Sequence, residues 1–417
     1  MQKKLLFFYR SNFTRYDWDR FGLDQLVAAG FAVRIVQFNH LPGFEFLGKL
    51  SRDDSFQDIC VYPRSFEELD RYLSAMQPGD VVFTTVGFKR DTAWLFRLFT
   101  KNNVNYIVQS FNYQNTFKGW RYSRGLRDLV RNKGIDARFL LSQFLHFISL
   151  CLSPSVRYLS LRPPAVSIRA GHDPFRFVPT FPHLHRAHAV AIESVDCRTA
   201  DHPPPIAAEL PARYAVFLDQ NLPYHPDFVI LGLRTVDPER YGAQINESLS
   251  GIESRTGLPV VIAPNPKWAN ARVDFGSRKI VAGATAELVR KSSLVVAHYS
   301  NSISFAVLFR KPVVFLTSHE MMMCGLDRHV ACSSSWLGSK RLLMDRIAKE
   351  LPPIDRLFTV NEIRYRAYDR TFLRTAGARA APAGVVVAEQ ACLLSNSRRN
   401  GPFMRQSSMP SLQKDSL

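Results

Sequence analysis

A dense polar cluster interrupts an apolar run near residue 300. Leu294-Val295-Val296-Ala297 passes directly into His298-Tyr299-Ser300-Asn301-Ser302. An imidazole, three hydroxyls and a carboxamide at that spacing suit an anion, above all a phosphate. A second cluster, Pro264-Asn265-Pro266-Lys267, follows the apolar run 258–263 and adds an amide and a cation. A third, Asp219-Gln220-Asn221, follows the apolar run 214–218. Near the start, Tyr9 leads into a loop holding Arg10, Arg15, Asp17 and Asp19. Its carboxylates are candidates for a general base, and its arginines for holding an anionic substrate. Plainer readings stand beside these. Ser, Asn and Asp cap helices, so Asp19, Asp219 and the 300–302 cluster could be caps. His298 could be a strand-end histidine hydrogen-bonded in the core, and Arg10 and Arg15 could be solvated.

The elements that must hold these residues are legible as punctuation. Residues 4–9, 32–38, 81–85, 106–109, 165–168, 189–193, 214–218, 258–263, 294–297 and 313–316 read as short buried strands. Helical segments are expected over 19–28, 66–76, 91–101, 238–254, 286–291, 305–309 and 361–373. Strand alternating with helix predicts parallel sheets, and polar clusters at strand carboxyl ends predict a ligand crevice there. A helix starting in Ser300, Asn301 or Ser302 would turn its first N–H groups on that crevice.

The chain has 417 residues, room for two or three domains. A hydrophobic fraction of 46% and an aromatic fraction of 12% describe a folded protein. The net charge of +18 implies anionic partners: phosphorylated substrates, an anionic membrane surface or nucleic acid. No nucleic-acid-binding signature accompanies the charge, which ranks nucleic acid last. Six cysteines without a CxxC pair suggest no disulfide framework, and Cys324, Cys332, His319 and His329 have no standard zinc spacing. The first apolar run is ended by Arg10 and reads as a strand, not a signal peptide. The cytoplasm is the expected setting. Arg121, Arg124, Arg127 and Arg131, among Trp120, Tyr122 and Leu126, precede an apolar stretch at 139–152 too short to span a bilayer. That pair could lie against the inner face of the cytoplasmic membrane or pack as a helical insertion.

The organisation expected is α/β and GT-B-like: two Rossmann-like doubly wound domains facing a central cleft. Residues 1–198 would form an acceptor domain with a helical insertion at about 117–152. Residues 199–211, with Pro203-Pro204-Pro205, would be a linker, 212–375 a donor domain and 376–417 a divergent, largely disordered tail.

Three segments carry a more specific likeness: Phe217-Leu218-Asp219-Gln220-Asn221-Leu222-Pro223-Tyr224-His225-Pro226, Val261-Ile262-Ala263-Pro264-Asn265-Pro266-Lys267, and His298 through Leu308. They resemble a family of bacterial surface-polysaccharide biosynthesis proteins, from lipopolysaccharide and capsule assembly. Their layout is similar to the HP and Ser motifs of GT-B sialyltransferases, polysialyltransferases and Kdo transferases. The likeness covers roughly 210–320 well and the first 40 residues loosely. It implies a glycosyltransferase with a nucleotide-sugar donor and a membrane-linked glycan acceptor, needing no cofactor and no metal. Ser300 and Ser302 then match the Ser motif, with Asn301 between them, and Pro266 matches the HP proline. Asn265 stands where that motif has histidine, so His298 or Lys267 would have to supply the positive partner. Two other readings share the fold or the site: a UDP-sugar 2-epimerase-like enzyme, and a non-catalytic pseudo-transferase in a polysaccharide assembly complex.

Overall fold

A computed structural model describes residues 2–10, 12–45, 47, 54–88, 92–110, 160–171, 181–225, 235–265 and 273–397. The expected insertion at 117–152, together with Pro266, Lys267 and residues 398–417, lies outside them.

Twelve described strands form two parallel sheets. The first contains β1 (Lys4–Tyr9), β2 (Ala32–Gln37), β3 (Cys60–Val61), β4 (Val81–Thr84), β5 (Tyr106–Ser110), β6 (Val166–Ala170) and β7 (His188–Ile192). The second contains β8 (Ala215–Leu218), β9 (Val260–Ala263), β10 (Leu294–Ala297), β11 (Val313–Thr317) and β12 (Arg341–Leu343). Their apolar runs are long enough to be covered on both faces, as parallel strands require. In β1, Leu5 and Phe7 enter one core while Leu6 and Phe8 enter the other.

The first sheet is ordered β3-β2-β1-β4-β5-β6-β7. That is the doubly wound 3-2-1-4-5-6 order with one strand added. The second is ordered β12-β11-β10-β8-β9. Counted from β8, it reads 5-4-3-1-2, the other common doubly wound order. The two sheets bear out an α/β, GT-B-like architecture of two Rossmann-like halves. Each sheet reverses its winding at one point, between β1 and β4 and between β8 and β10. The crevice outside the carboxyl ends of such a pair is where a doubly wound sheet takes its ligand. β9 and β10 are consecutive in the chain but not neighbours, because β8 lies between them.

The helix expected over 19–28 is two, Arg15–Phe21 and Leu23–Ala28. Gly22 divides them at φ +61, a left-handed conformation that glycine adopts without strain. Its lack of a Cβ also admits another backbone: a methyl there would sit 2.9 Å from the Gly384 Cα.

Gly384 belongs to the helix Ala383–Ser397, which corrects the expectation of a largely disordered tail beginning at 376. Val386, Val387, Ala391 and Leu394 are buried in the same core as Leu5, Phe7, Phe21 and Phe83. The chain therefore returns from the second domain to complete the first. An opposite exchange occurs earlier. Helix Val195–Asp201, placed partly in the first domain by the boundary at 198, buries Cys197 in the core of the second. The two crossings run side by side: Arg379 N donates to Ala191 O at 3.0 Å, Glu193 N to Arg379 O at 3.1 Å and Ser194 N to Leu373 O at 2.8 Å. Among the described residues no helix is long and apolar enough to cross a membrane.

Candidate functional site

At the reversal of the second sheet, the loops after β8 and β10 are tied together. Gln220 Oε1 accepts from Tyr299 N at 2.9 Å, which spends the Gln220 carbonyl on the bridge. Asp219 is buried and turned inward, its Oδ1 accepting from Asn221 N at 2.7 Å. Asn221 takes a left-handed φ of +52, and the chain turns there into Leu222–Tyr224. Asp219 thus shapes the loop as a local turn acceptor, while the cap position of Leu222–Tyr224 is Asn221.

The loop after β10 is tightly self-bonded. Ser302 N donates to Ser300 Oγ at 3.2 Å, Ile303 N to Ser300 O at 3.2 Å, Ser304 N to Asn301 O at 3.2 Å and Phe305 N to Ser302 O at 3.1 Å. The helix that follows, Ile303–Leu308, has six residues. The expectation of unused N–H groups aimed at a ligand is therefore corrected, since the first turn satisfies its own donors. Polar side chains remain. Asn301 is exposed and Ser300 and Ser302 half-buried, and Ser302 makes no side-chain capping bond. These three side chains, beside Gln220, are what the crevice offers an anion.

His298 is not among them. It is fully buried, with Nδ1 2.7 Å from Leu316 O and Nε2 2.8 Å from the Tyr241 hydroxyl. A carbonyl can only accept, so Nδ1 carries the proton and Nε2 accepts from Tyr241. Burial lowers its pKa to about 4, against the small opposing pull of the Leu316 carbonyl. A neutral imidazole with both nitrogens spent does no acid chemistry in the crevice, so the catalytic assignment of His298 is withdrawn. It fixes β10 against helix Pro238–Thr256.

Asn265 follows β9, which pairs with β8. It stands two strand spacings from β10, about 10 Å across the sheet. It flanks the crevice one strand beyond β8, as the residues after β11 flank it one strand beyond β10.

Of the first domain's candidates, Asp17 is spent on structure. Asp17 is fully buried, with Oδ1 accepting from the Tyr9 hydroxyl at 2.8 Å. Its Oδ2 accepts from Thr14 Oγ1 at 2.8 Å and Thr14 N at 3.2 Å. This locks the entrance of helix Arg15–Phe21, and burial first, then Asp17, push the Tyr9 phenol well above its usual range. Asp19 and Arg15 form an exposed pair at 3.0 Å on that helix. Thr14, not Asp19, is the N-cap. Arg10 lies over the Phe44 ring, 5.7 Å from its centroid. A buried carboxylate with three donors already on it is not positioned as a base.

A carboxylate passed over in the sequence does reach the second domain's edge. Asp196, in the crossing helix after β7, accepts from the Ser304 hydroxyl. Packing around the Tyr16 ring raises its hydroxyl pKa, and Asp196 adds to the rise against the pull of Arg20. Asp196 therefore stands where the carboxyl edges of the two sheets approach. The signal was available: β7 also runs out into a polar cluster, Glu193-Ser194-Val195-Asp196.

No family model matches the sequence and no curated protein matches it. Solved structures do resemble it. The calicheamicin glycosyltransferase CalG4 is 12% identical, with 96% of this chain and 100% of that one covered, at a TM-score of 0.48. The wall teichoic acid polymerase TagF is 10% identical, with coverage of 95% and 89% and a TM-score of 0.48. MurG of Acinetobacter baumannii is 11% identical, with coverage of 93% and 99% and a TM-score of 0.44. A Listeria monocytogenes protein described as a UDP-N-acetylglucosamine 2-epimerase is 12% identical, with both coverages 94% and a TM-score of 0.42.

Proposed function

We propose that this chain is a glycosyltransferase that moves a sugar from a nucleotide-activated donor to a surface-polysaccharide acceptor, of the lipopolysaccharide or capsule kind. The observation that carries the reading is the β8–β10 crevice. It lies at a winding reversal of a doubly wound sheet and is lined by Ser300, Asn301, Ser302 and Gln220. In this reading the hydroxyls of Ser300 and Ser302 and the amide of Asn301 donate to the donor's phosphate, with Asn265 at the flank and Pro266 and Lys267 next to it in the sequence. Asp219 and Gln220 hold the loop that backs it. Arg10 and Arg15 are on the acceptor side, and the acceptor is linked to a membrane whose inner face the basic stretch near 117–152 meets. Donors of this kind are placed to stabilise the charge that develops on a leaving phosphate, which works without a metal.

Thermal unfolding of the purified chain with CMP, CDP, UDP, GDP and TDP tests the reading, with an Asn265→His variant alongside. Selective stabilisation by one nucleotide is expected. A flat response in both proteins would leave the chain as a non-catalytic member of a polysaccharide assembly complex.

A further inference from the structure

Among the described residues, the loops after β8 and β10 offer hydroxyls and amides but no cation: His298 is buried and neutral, and Asn265 stands where the motif has histidine. Another imidazole stands at the same edge of the sheet. His319 directly follows β11 and Ser318, and β11 is the neighbour of β10. In the β10–β11 pairing Ala297 faces Phe315. His319 comes four residues past Phe315, as Asn301 comes four past Ala297.

His319 is pinned by Asp345, which follows β12. Asp345 Oδ2 accepts from His319 N at 2.9 Å and lies 3.2 Å from His319 Nδ1. The other carboxylate oxygen accepts from Gln244 Nε2 at 2.6 Å and lies 3.8 Å from Arg240 Nη2. Gln244 and Arg240 are on helix Pro238–Thr256, whose Tyr241 holds His298 at the end of β10. One helix therefore fixes the carboxyl ends of β10 and β12 together. Next to His319, Glu320 Oε1 accepts from Asp237 N at 2.9 Å and fixes the start of that helix.

The consequence for the ring is specific. Nδ1 donates to Asp345, so the tautomer and the ring plane are set, and Nε2 points away from the carboxylate. The Asp345 carboxylate is mostly covered, but the His319 side chain is 52% exposed. Burial alone would raise the Asp345 carboxyl, yet the His319 backbone and ring hold it below its usual range. A covered carboxylate that orients a half-exposed imidazole is the arrangement of a working histidine, not of a packing one.

We propose that His319, positioned by Asp345, is the imidazole that contacts a phosphate oxygen of the nucleotide in the β8–β10 crevice. This rests on the donor-site reading above. In the protonated ring Nδ1–H stays on Asp345 and Nε2–H is donated to the non-bridging phosphate oxygen. No bond to His319 forms or breaks. Its positive charge offsets the charge that the phosphate gains as the sugar leaves. Asp345 is a positioning residue, acting only through the ring.

The test compares phosphate with base recognition. Wild type, His319→Ala, His319→Gln, Asp345→Asn and the double variant Ser300→Ala/Ser302→Ala are titrated calorimetrically with CMP, UDP and GDP. Each is also titrated with cytidine, uridine and guanosine. His319→Ala is expected to weaken the preferred nucleotide by about 10-fold while leaving its nucleoside unchanged. Asp345→Asn is expected to lose part of the same preference for nucleotide over nucleoside, with nucleoside affinity kept. A merely structural Asp345 would weaken both ligands together. If the Ser variants weaken nucleotide binding and both His319 variants bind it as wild type does, the role of His319 is overturned and the donor site stands. If wild type binds none of the nucleotides, both fall.

Discussion

The carboxyl edges of the two sheets carry polar clusters of similar composition and put them to different uses. After β1, Asp17 takes three hydrogen bonds from Tyr9 and Thr14 and vanishes into the core. After β10, the carbonyls of Ser300, Asn301 and Ser302 accept from the next turn and Ser300 Oγ accepts from Ser302 N, while the Asn301 and Ser302 side chains stay at the surface of the crevice. Residue type does not separate these cases. The count of partners does: a polar group whose lone pairs are all met inside the fold is architecture, and one whose backbone is met but whose side chain is not is available to a ligand.

Several measurements would break or sharpen that contrast. The largest effect is expected from truncation after Pro382. It strips Val386, Val387, Ala391 and Leu394 from the first core. Burying each of the larger side chains is worth roughly 1.5–3 kcal/mol, and the sum rivals a whole domain's stability of about 5–15 kcal/mol. Circular dichroism should show the first domain no longer unfolding cooperatively; a melt matching the full chain would refute the shared core. Asp17→Ala should come next, at about 2–4 kcal/mol, because it strands the Tyr9 hydroxyl and the Thr14 donors. Denaturant titration reads it, and a variant as stable as wild type but inactive would return Asp17 to catalysis.

His298 gives the second edge its own signature. Its pKa is lowered from 6.5 to about 4 in the fold, so the unfolded chain binds the proton first. Stability from this group is fully present above pH 6.5 and falls as pH drops toward 4, by up to about 1.4 kcal/mol per unit. Chemical denaturation at stepped pH, compared with His298→Asn, isolates that slope; equal slopes in the two proteins would contradict the buried neutral ring. Ser300→Ala and Ser302→Ala should each cost about 1–3 kcal/mol of nucleotide affinity with little change in melting. A loss of stability without loss of affinity would move them to the architectural class with Asp17. The smallest effect belongs to Asp19→Asn, within about 0.5 kcal/mol, since it breaks one exposed ion pair. Any large effect on turnover would reopen Asp19 as a base.

Much of this was legible beforehand. The strands were readable because parallel strands buried on both faces are unbroken apolar runs, and those after Lys3, Ser293 and Pro312 begin within a residue of their expected starts. What failed had physical causes. Helix Ala383–Ser397 is apolar on nearly every side and follows a Gly- and Pro-rich approach, so it lacks the stripe that marks an amphipathic helix. The split at Gly22 is set by the close approach of Gly384, more than 350 residues away in the sequence. The loss of Asp17 and His298 as catalytic groups depends on Tyr9, Thr14, Tyr241 and Leu316, and spacing does not reveal which of these a side chain will meet. Asp345 becomes visible only once the strand order places β12 beside β11.

The return of the C-terminal helix to the first domain has a consequence for synthesis. A chain made from its N-terminus completes the second domain while the first still lacks part of its core. Until Leu394 has emerged, the face that Phe7, Phe21 and Phe83 share with that helix stays uncovered. The half of the molecule translated first is the half that finishes folding last, and it is the one most in need of protection from aggregation while the ribosome works.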